Sequence, residues 1–375
     1  MQELNETQRA VQRSFRDFVD QRVLPQARNI DREQRFPMDL FREVAALGFF
    51  GMRYPEDAGG SGMDNISYAL AVMELARGSL SLAATCTMQS LMGTHFLHRY
   101  GDDEMVERFF RPALRGEKIG AICMTEPNAG SDLMAITTHA RKTEQGFVLN
   151  GQKTWVTSAP VADFFTVLAK NEGLDGLSIF LVPADTPGLQ VGKPIEKMGV
   201  RGSPTSELSF ADVHIPLNHL LGPLGGGTTS LREILVEIRI MTAALAVGIA
   251  QAARDEAVKY SAERMQFGKP IAAFQAIQLK LAEMEMQLET ARTYTLHVAA
   301  LADRQEPRHK EAMIAKLYAS EAACEICDQT ARIMASYGYS TDFCAERLLR
   351  DVRFTLIGGG TSEILKINIA KEMKE

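Results

Sequence analysis

The residues that might carry chemistry in this chain fall first into two groups that lead nowhere. Cys324 and Cys327 form a C-x-x-C inside an apparent helix, EAACEICDQTARIM. A structural zinc would require a second cysteine pair or nearby histidines, and neither accompanies them, so they read as two thiols packed on one helix face. His95 and His98, three residues apart, share a helix face without a carboxylate ligand pattern, and no metal site is expected. The 29 glycines contain no G-x-G-x-x-G, no G-x-x-x-x-G-K-[ST] and no G-x-S-x-G. Dinucleotide-fold, phosphate-loop and α/β-hydrolase chemistry therefore lose ground. Four polar segments remain. They are ICMTEPNAGSD (Ile122–Asp132), GQKTWVTSA (Gly151–Ala159, with the one tryptophan), ERMQFGKPIAAFQAIQ (Glu263–Gln278) and the C-terminal LRDVRFTLIGGGTSEILKINIAKEM.

The elements that must position these segments change period along the chain. Residues 1–117 read as helices: Val11, Phe15, Phe18 and Val19 recur at helical spacing, PMDLFREVAALGFF opens with proline in its first turn, and YPEDAGGSGMD is a turn-rich loop. SLSLAATCTMQSLMGTHFLHRYG is nearly all apolar or small and should be buried on most sides. Residues 118–222 shift to short β-type runs, with Gly146 and the Asn150-Gly151 pair as hairpin signals, and predict a compact antiparallel β domain. Residues 223–375 return to long helices, the last beginning near Thr361–Leu365. The α–β–α order is not the alternation of a nucleotide-binding sheet; the expected class is α+β.

Composition agrees with an ordinary globular protein: 46% hydrophobic and 23% charged residues in 375. A formal charge of −6 argues against nucleic-acid binding through counterion release. No apolar run approaches the ~18 residues that suggest a membrane helix, and the mixed charges of the first residues contain no signal-peptide core. Five cysteines, an odd and sparse set, fit a reducing compartment; a cytoplasmic location is expected.

Taken together and in order, the four segments resemble the acyl-CoA dehydrogenase flavoprotein family across essentially the whole chain. The resemblance implies an N-terminal helical domain, a middle antiparallel β domain and a C-terminal four-helix bundle. It implies FAD as cofactor, with Trp155 packed against the flavin ring, Thr157 near its N5 edge, and Met124, Thr125, Gly130 and Ser131 along the other edge. Arg264, Phe267, Phe274 and Gln275 would hold the pyrophosphate and adenine of an FAD bound mainly by a neighbouring subunit; a planar guanidinium suits a diphosphate. Arg332, Ser336, Thr361 and Glu363 fall at further cofactor positions. Ala335 and Ser336 depart from the family's paired glycines there. Ser131, Arg239 and Gly360 are implied on the substrate side. The family assembly implies a homotetramer, a dimer of dimers, with an electron-transfer flavoprotein as electron acceptor.

The family reaction removes a proton from the α-carbon of an acyl thioester, on CoA or a carrier protein, while flavin N5 takes the β hydrogen as hydride. The proton needs a carboxylate within hydrogen-bond reach. At the commonest position for that base this chain has Gly359. At the other known position, before the CoA-contacting Arg239, it has Ile238. Glu237 lies one residue further back, about 100° round the helix, and reaches the pocket only if the helix is locally rotated or carries a π-bulge. Three readings stay open: α,β-dehydrogenation with Glu237 as base; a same-fold flavoprotein of desulfinase-like or oxygen-using chemistry; and a non-catalytic subunit of a heteromeric dehydrogenase. The desulfinase type shares the Gly-Gly-Thr run, but its characteristic Arg and Gln align with Thr85 and Ile238.

Overall fold

The computed structural model describes residues 3–304 and 308–373. The first part is helical: α1 (Glu6–Phe18), α2 (Leu24–Glu33), α3 (Met38–Ala46), α4 (Asn65–Gly78), α5 (Leu80–Met88), α6 (His95–Tyr100) and the single turns α7 (Asp103–Met105) and α8 (Arg111–Leu114). Asn5 starts α1 with a reciprocal cap, its side chain accepting from the Gln8 N–H while the Gln8 side chain accepts from the Asn5 N–H. Asp64 caps α4 in the simpler way. π-type turns at Val19–Val23, Gln89–Gly93 and Val106–Phe110 continue one helix into the next. The apolar run from Leu80 is buried throughout α5, as its composition requires.

The middle part is one sheet: β1 (Gly120–Cys123), β2 (His139–Lys142), β3 (Gly146–Thr157), β4 (Phe164–Asn171), β5 (Leu174–Pro183), β6 (Leu189–Pro194), β7 (Thr205–Pro216) and β8 (Leu220–Leu221). The strand order is β6-β7-β3-β2-β4-β5-β8, with β1 also on β4. It is not wholly antiparallel, because β1 and β2 both run parallel to β4. The turn between β2 and β3 closes at Gly146, whose carbonyl accepts from the Thr143 N–H at 2.8 Å. Asn150-Gly151 is no hairpin; it lies inside β3 at a register shift against β7. Gly151 has φ +146°, and a Cβ there would come within 2.7 Å of Thr138. The glycine serves close strand approach rather than a turn. Phe147, Phe165, Phe180, Leu208 and Val213 fill a separate core on this sheet.

The last part comprises α9 (Gly227–Glu263), a small hairpin of β9 (Met265–Gln266) and β10 (Lys269–Pro270), then α10 (Gln275–Ala302), α11 (His309–Met334), α12 (Ala345–Asp351) and α13 (Ser362–Glu372). α9 is the axis of the molecule and shares the larger core with the N-terminal helices. Its stretch from Ile238 to Ala250 is buried on all sides. Gly248 lets it approach α4 so closely that a Cβ would sit 2.2 Å from the Met73 carbonyl oxygen.

Candidate functional site

One wall is built by β1, β3 and the loop after β1. Met124, Thr125, Trp155 and Thr157 line a single cleft with Met88, Gly120, Ala121, Ile122 and Thr154. β3 slips register between Lys153 and Val156. At that bulge Trp155 takes a left-handed backbone, φ +58°, a strained conformation costing roughly 1–3 kcal/mol. The result is a tryptophan that stands 57% exposed on an otherwise packed sheet. An outward aromatic face, thioethers from Met88 and Met124, and hydroxyls from Thr125 and Thr157 are what a flavin ring requires: apolar walls and a few polar contacts at the edge. The residues present fit FAD.

What fixes this wall has no local signature in the sequence. Lys153, fully buried, donates to Glu126 at 2.8 Å and to the Met124 carbonyl at 3.0 Å. Glu126 also accepts from the Thr137 N–H and hydroxyl and from the Thr138 N–H. The Thr154 N–H donates to the Thr125 carbonyl at 2.9 Å. Burial would raise the Glu126 carboxyl, but Lys153, Thr138 and the backbone N–H groups hold it down to about 2. Burial pulls the Lys153 ammonium down, with Glu126 opposing. Both residues lie inside segments singled out above; their partnership, 27 positions apart, leaves no local pattern. Gly130 and Ser131 follow on the exposed part of the same loop.

The family resemblance puts the acyl side at Gly358–Gly360. Gly359 has φ +72° and Gly360 φ +107°. A Cβ on Gly359 would point at the Thr242 Oγ1, 3.2 Å away, and the Ile238 Cγ2, 3.7 Å away. The two positions where a base would stand therefore converge in space, and neither carries a carboxylate. The Gly359 and Gly360 N–H groups make no hydrogen bond among the described residues. Lys316, fully buried, donates to the Gly360 carbonyl at 2.7 Å and pins the loop; burial pulls it down to about 8. Thr361 caps α13 by accepting from the Ile364 N–H, and Glu363 sits in its first turn.

Glu237, the candidate base, is held in an ion pair. Its Oε2 accepts from the Arg53 Nε at 2.9 Å and also from the Arg53 Nη2. α9 is regular α-helix through Glu237, without a π-bulge. Arg53, 9% exposed, also donates to the Tyr54 hydroxyl. This arginine was not anticipated either, since it lies 184 positions from its partner. Arg239 is 8% exposed, and its Nε has no partner among the described residues. Burial pulls its pKa down, with Glu372 opposing and Arg232 adding to the effect.

The remaining expected cofactor residues lie on the outer surface of the last helical part. Arg264 stacks over the Tyr337 ring at 5.5 Å. Phe267, at the tip of the β9–β10 hairpin, is 92% exposed and meets Phe274 edge-on at 6.0 Å. Gln275 begins α10 and is exposed. Arg332 is paired with Asp328, and Ser336 is exposed. Ala335, where a glycine was expected, holds φ +51° despite its Cβ.

Known families account for nearly the whole chain. "Acyl-CoA dehydrogenase, N-terminal domain" matches residues 5–117, the middle domain of the same name 121–213, and the C-terminal domain 225–374. The chain is 57% identical over 372 residues to benzylmalonyl-CoA dehydrogenase of Aromatoleum aromaticum, covering 99% of both. It is 41% identical over 367 residues to 3-(aryl)acrylate reductase of Clostridium sporogenes, covering 97% of both. Among solved structures, butyryl-CoA dehydrogenase from Megasphaera elsdenii superposes with a TM-score of 0.96 at 35% identity, over 100% of this chain and 99% of that one.

Proposed function

The chain belongs to the acyl-CoA dehydrogenase family, and on that premise we propose that it oxidises an acyl-CoA carrying a carboxylate on its α-carbon, with loss of CO2. It is an FAD-dependent oxidoreductase acting on an acyl thioester, as its family is. The observation that carries the finer reading is that Gly359 and Ile238 lie side by side and neither carries a carboxylate. The malonyl-type substrate in the name of the relative from Aromatoleum aromaticum supports it.

The chemistry follows from what the chain offers. A substrate carboxylate on the α-carbon fits the space a glutamate side chain would fill at Gly359, against the buried Ile238. Burying a charge against an apolar wall is unfavourable, and CO2 is neutral, so this contact favours cleavage. The bond between the α-carbon and the carboxylate breaks, CO2 leaves, and the electron pair stays on the α-carbon, delocalised into the thioester carbonyl. No proton is removed from that carbon, so no base is required. The free N–H groups of Gly359 and Gly360 suit the carbonyl oxygen as charge develops there. The acceptor for the β hydrogen, leaving as hydride, would be supplied by FAD held against Trp155 and Thr157, and the product would be an α,β-unsaturated thioester. Arg239 would meet the CoA moiety with its unpaired Nε.

The test is a paired assay. A 2-(arylmethyl)malonyl-CoA should bleach the flavin and release one CO2 per flavin reduced. The matching 3-arylpropionyl-CoA, which needs a base, should reduce it at least ~10²-fold more slowly, the usual value of a positioned general base. Equal rates without CO2 would return the reaction to proton abstraction, and Glu237→Gln would then identify or eliminate Glu237 as the base.

The assembly proposed is a homotetramer, in which the exposed Arg264, Phe267 and Gln275 serve a neighbour's FAD. Its support is the apolar exposure of Phe267, Tyr339, Met265, Leu279 and Met286 on one helical part. Sedimentation should give four chains; a stable FAD-loaded monomer contradicts it. An electron-transfer flavoprotein is the proposed electron acceptor. No helix among the described residues is long and apolar enough to cross a membrane. The free thiols support a reducing, cytoplasmic setting.

A further inference from the structure

The Arg53–Glu237 pair is used by nothing described so far, yet it borders the acyl side. Ile238 faces Gly359. Glu237, one helical step away, turns towards the N-terminal helices, where Arg53 lies just past the turn at Phe49–Gly51. The neighbouring Tyr54 hydroxyl donates to the Ser90 carbonyl at 3.0 Å and lies 2.7 Å from the Thr94 hydroxyl, docking it against the π-type turn Gln89–Gly93. That turn is joined to the cofactor cleft, since the Gln89 Oε1 accepts from the Gly120 N–H at 2.9 Å. The pair thus ties α9, one residue before Ile238, to the Arg53–Tyr54 segment that is docked on the π-type turn.

Donor and acceptor accounting shows what the seam can take. Arg53 spends Nε and Nη2 on Glu237 and Nη1 on Tyr54. Both donations to Glu237 fall on Oε2, and Oε1 accepts none among the described residues. The Glu237 side chain is 27% exposed against 9% for Arg53, so the accessible member is the acceptor. A second substrate carboxylate would meet the charge of Glu237. A substrate hydroxyl or ring N–H would find a charged oxygen whose geometry Arg53 has already fixed.

We infer that the Glu237 Oε1 is a specificity site for a hydrogen-bond donor, a phenolic O–H or a ring N–H, on the tail of an aryl-substituted acyl thioester. The aryl class rests on the function proposed above, but the donor preference does not depend on the decarboxylation. Arg53 is a positioning residue for this contact, holding the carboxylate in place.

Binding of product-type thioesters tests this without turnover. The dissociation constants of 3-phenylacryloyl-CoA, its three ring-hydroxylated isomers and a pyrrole-type N–H analogue are read from perturbation of the flavin band in the holoenzyme. At least one donor-bearing ligand should bind at least about tenfold more tightly than the phenyl compound, since a hydrogen bond to a charged group is among the stronger kinds. The hydroxyl and N–H arms distinguish the two donor types. In Arg53→Met/Glu237→Met the ratio should fall to within about twofold. Should that double variant fail to fold, Glu237→Gln, which keeps a carbonyl acceptor without the charge, should retain part of the preference. A ratio near one for every donor in the unaltered protein overturns the inference, as does an unchanged ratio in the variants. Failure of CO2 release with an intact donor preference would overturn the decarboxylating reading alone.

Discussion

On the cofactor side, two opposite charges are buried 2.8 Å apart, and Glu126 is satisfied by three further donations from Thr137 and Thr138. On the acyl side, glycine and isoleucine stand where a charge would do the chemistry, and the nearby ion pair faces away from the reacting position. The first wall must hold a ring in one pose, and a buried network whose members are all bonded supplies rigidity. The second wall has no carboxylate at Gly359 or Ile238, and Lys316 holds its glycine loop through the Gly360 carbonyl. The contrast is one of charge: every charged group of the first wall is partnered, whereas Gly359 and Ile238 bring none to the second, and the decarboxylating function proposed above is drawn from that difference.

Breaking the cofactor wall should have the largest effect. Lys153→Met removes one partner of a fully buried pair and strands the Glu126 carboxylate. One-sided loss of such a pair costs about 3–5 kcal/mol. Purified Lys153→Met should lose flavin on gel filtration and show a clear drop in urea midpoint. Lys153→Met/Glu126→Leu should recover part of that stability. A single variant that keeps its flavin and its midpoint would show that the wall stands on packing alone.

The acyl wall is sharpened by restoring what it lacks. Gly359→Glu places a carboxylate against Thr242 and Ile238, at the cost of strain from the left-handed backbone and a tight 3.2 Å approach of the Cβ to the Thr242 Oγ1. Flavin reduction by 3-arylpropionyl-CoA should rise at least tenfold. Reduction by the malonyl-type thioester should fall by a comparable factor, because the new side chain occupies the space assigned to the substrate carboxylate. Stopped-flow reduction with both thioesters decides it. A variant that loses the second activity without gaining the first would still support the space argument; one that changes neither refutes it.

What was legible in the sequence follows the same division. The helix–sheet–helix order was readable because period changes sharply at the zone edges, and Trp155 stood out as the one large indole in a polar segment. The Asn150-Gly151 signal misled because a dipeptide reports only local turn preference, whereas Thr138 on the preceding segment required that glycine for close approach. The Lys153–Glu126 and Arg53–Glu237 pairs were invisible because each joins positions far apart in the chain. Glu237 stands out in the sequence because it lies one residue before Ile238, a position the family resemblance gives to the base. Only the regular helix and the guanidinium of Arg53 show that its carboxylate is already engaged.

The joint between the two walls gives the smallest effect and a signed one. The Val200 N–H, in the segment linking β6 and β7, donates at 2.6 Å to Asp351 at the end of α12, a few residues before the glycine run. Burial pushes the Asp351 carboxyl up to about 6, with Arg347 and the Val200 N–H opposing. In the unfolded chain the same group titrates near 3.9. Between roughly pH 4 and 6 the folded protein therefore binds the proton that the unfolded chain has released, and stability from this group falls as pH rises through that window. Glu126, held down to about 2, has the opposite sign: its contribution is complete above the ordinary carboxylate range and is lost only as pH falls towards 2. Asp351→Asn keeps an acceptor for Val200 but cannot ionise. The difference in melting temperature, variant minus parent, should rise by a few degrees from pH 4 to pH 7 and stay flat above. A difference that is flat across the window would mean Asp351 is ionised in the folded protein throughout, and that its bond to the Val200 N–H is charge-assisted rather than neutral.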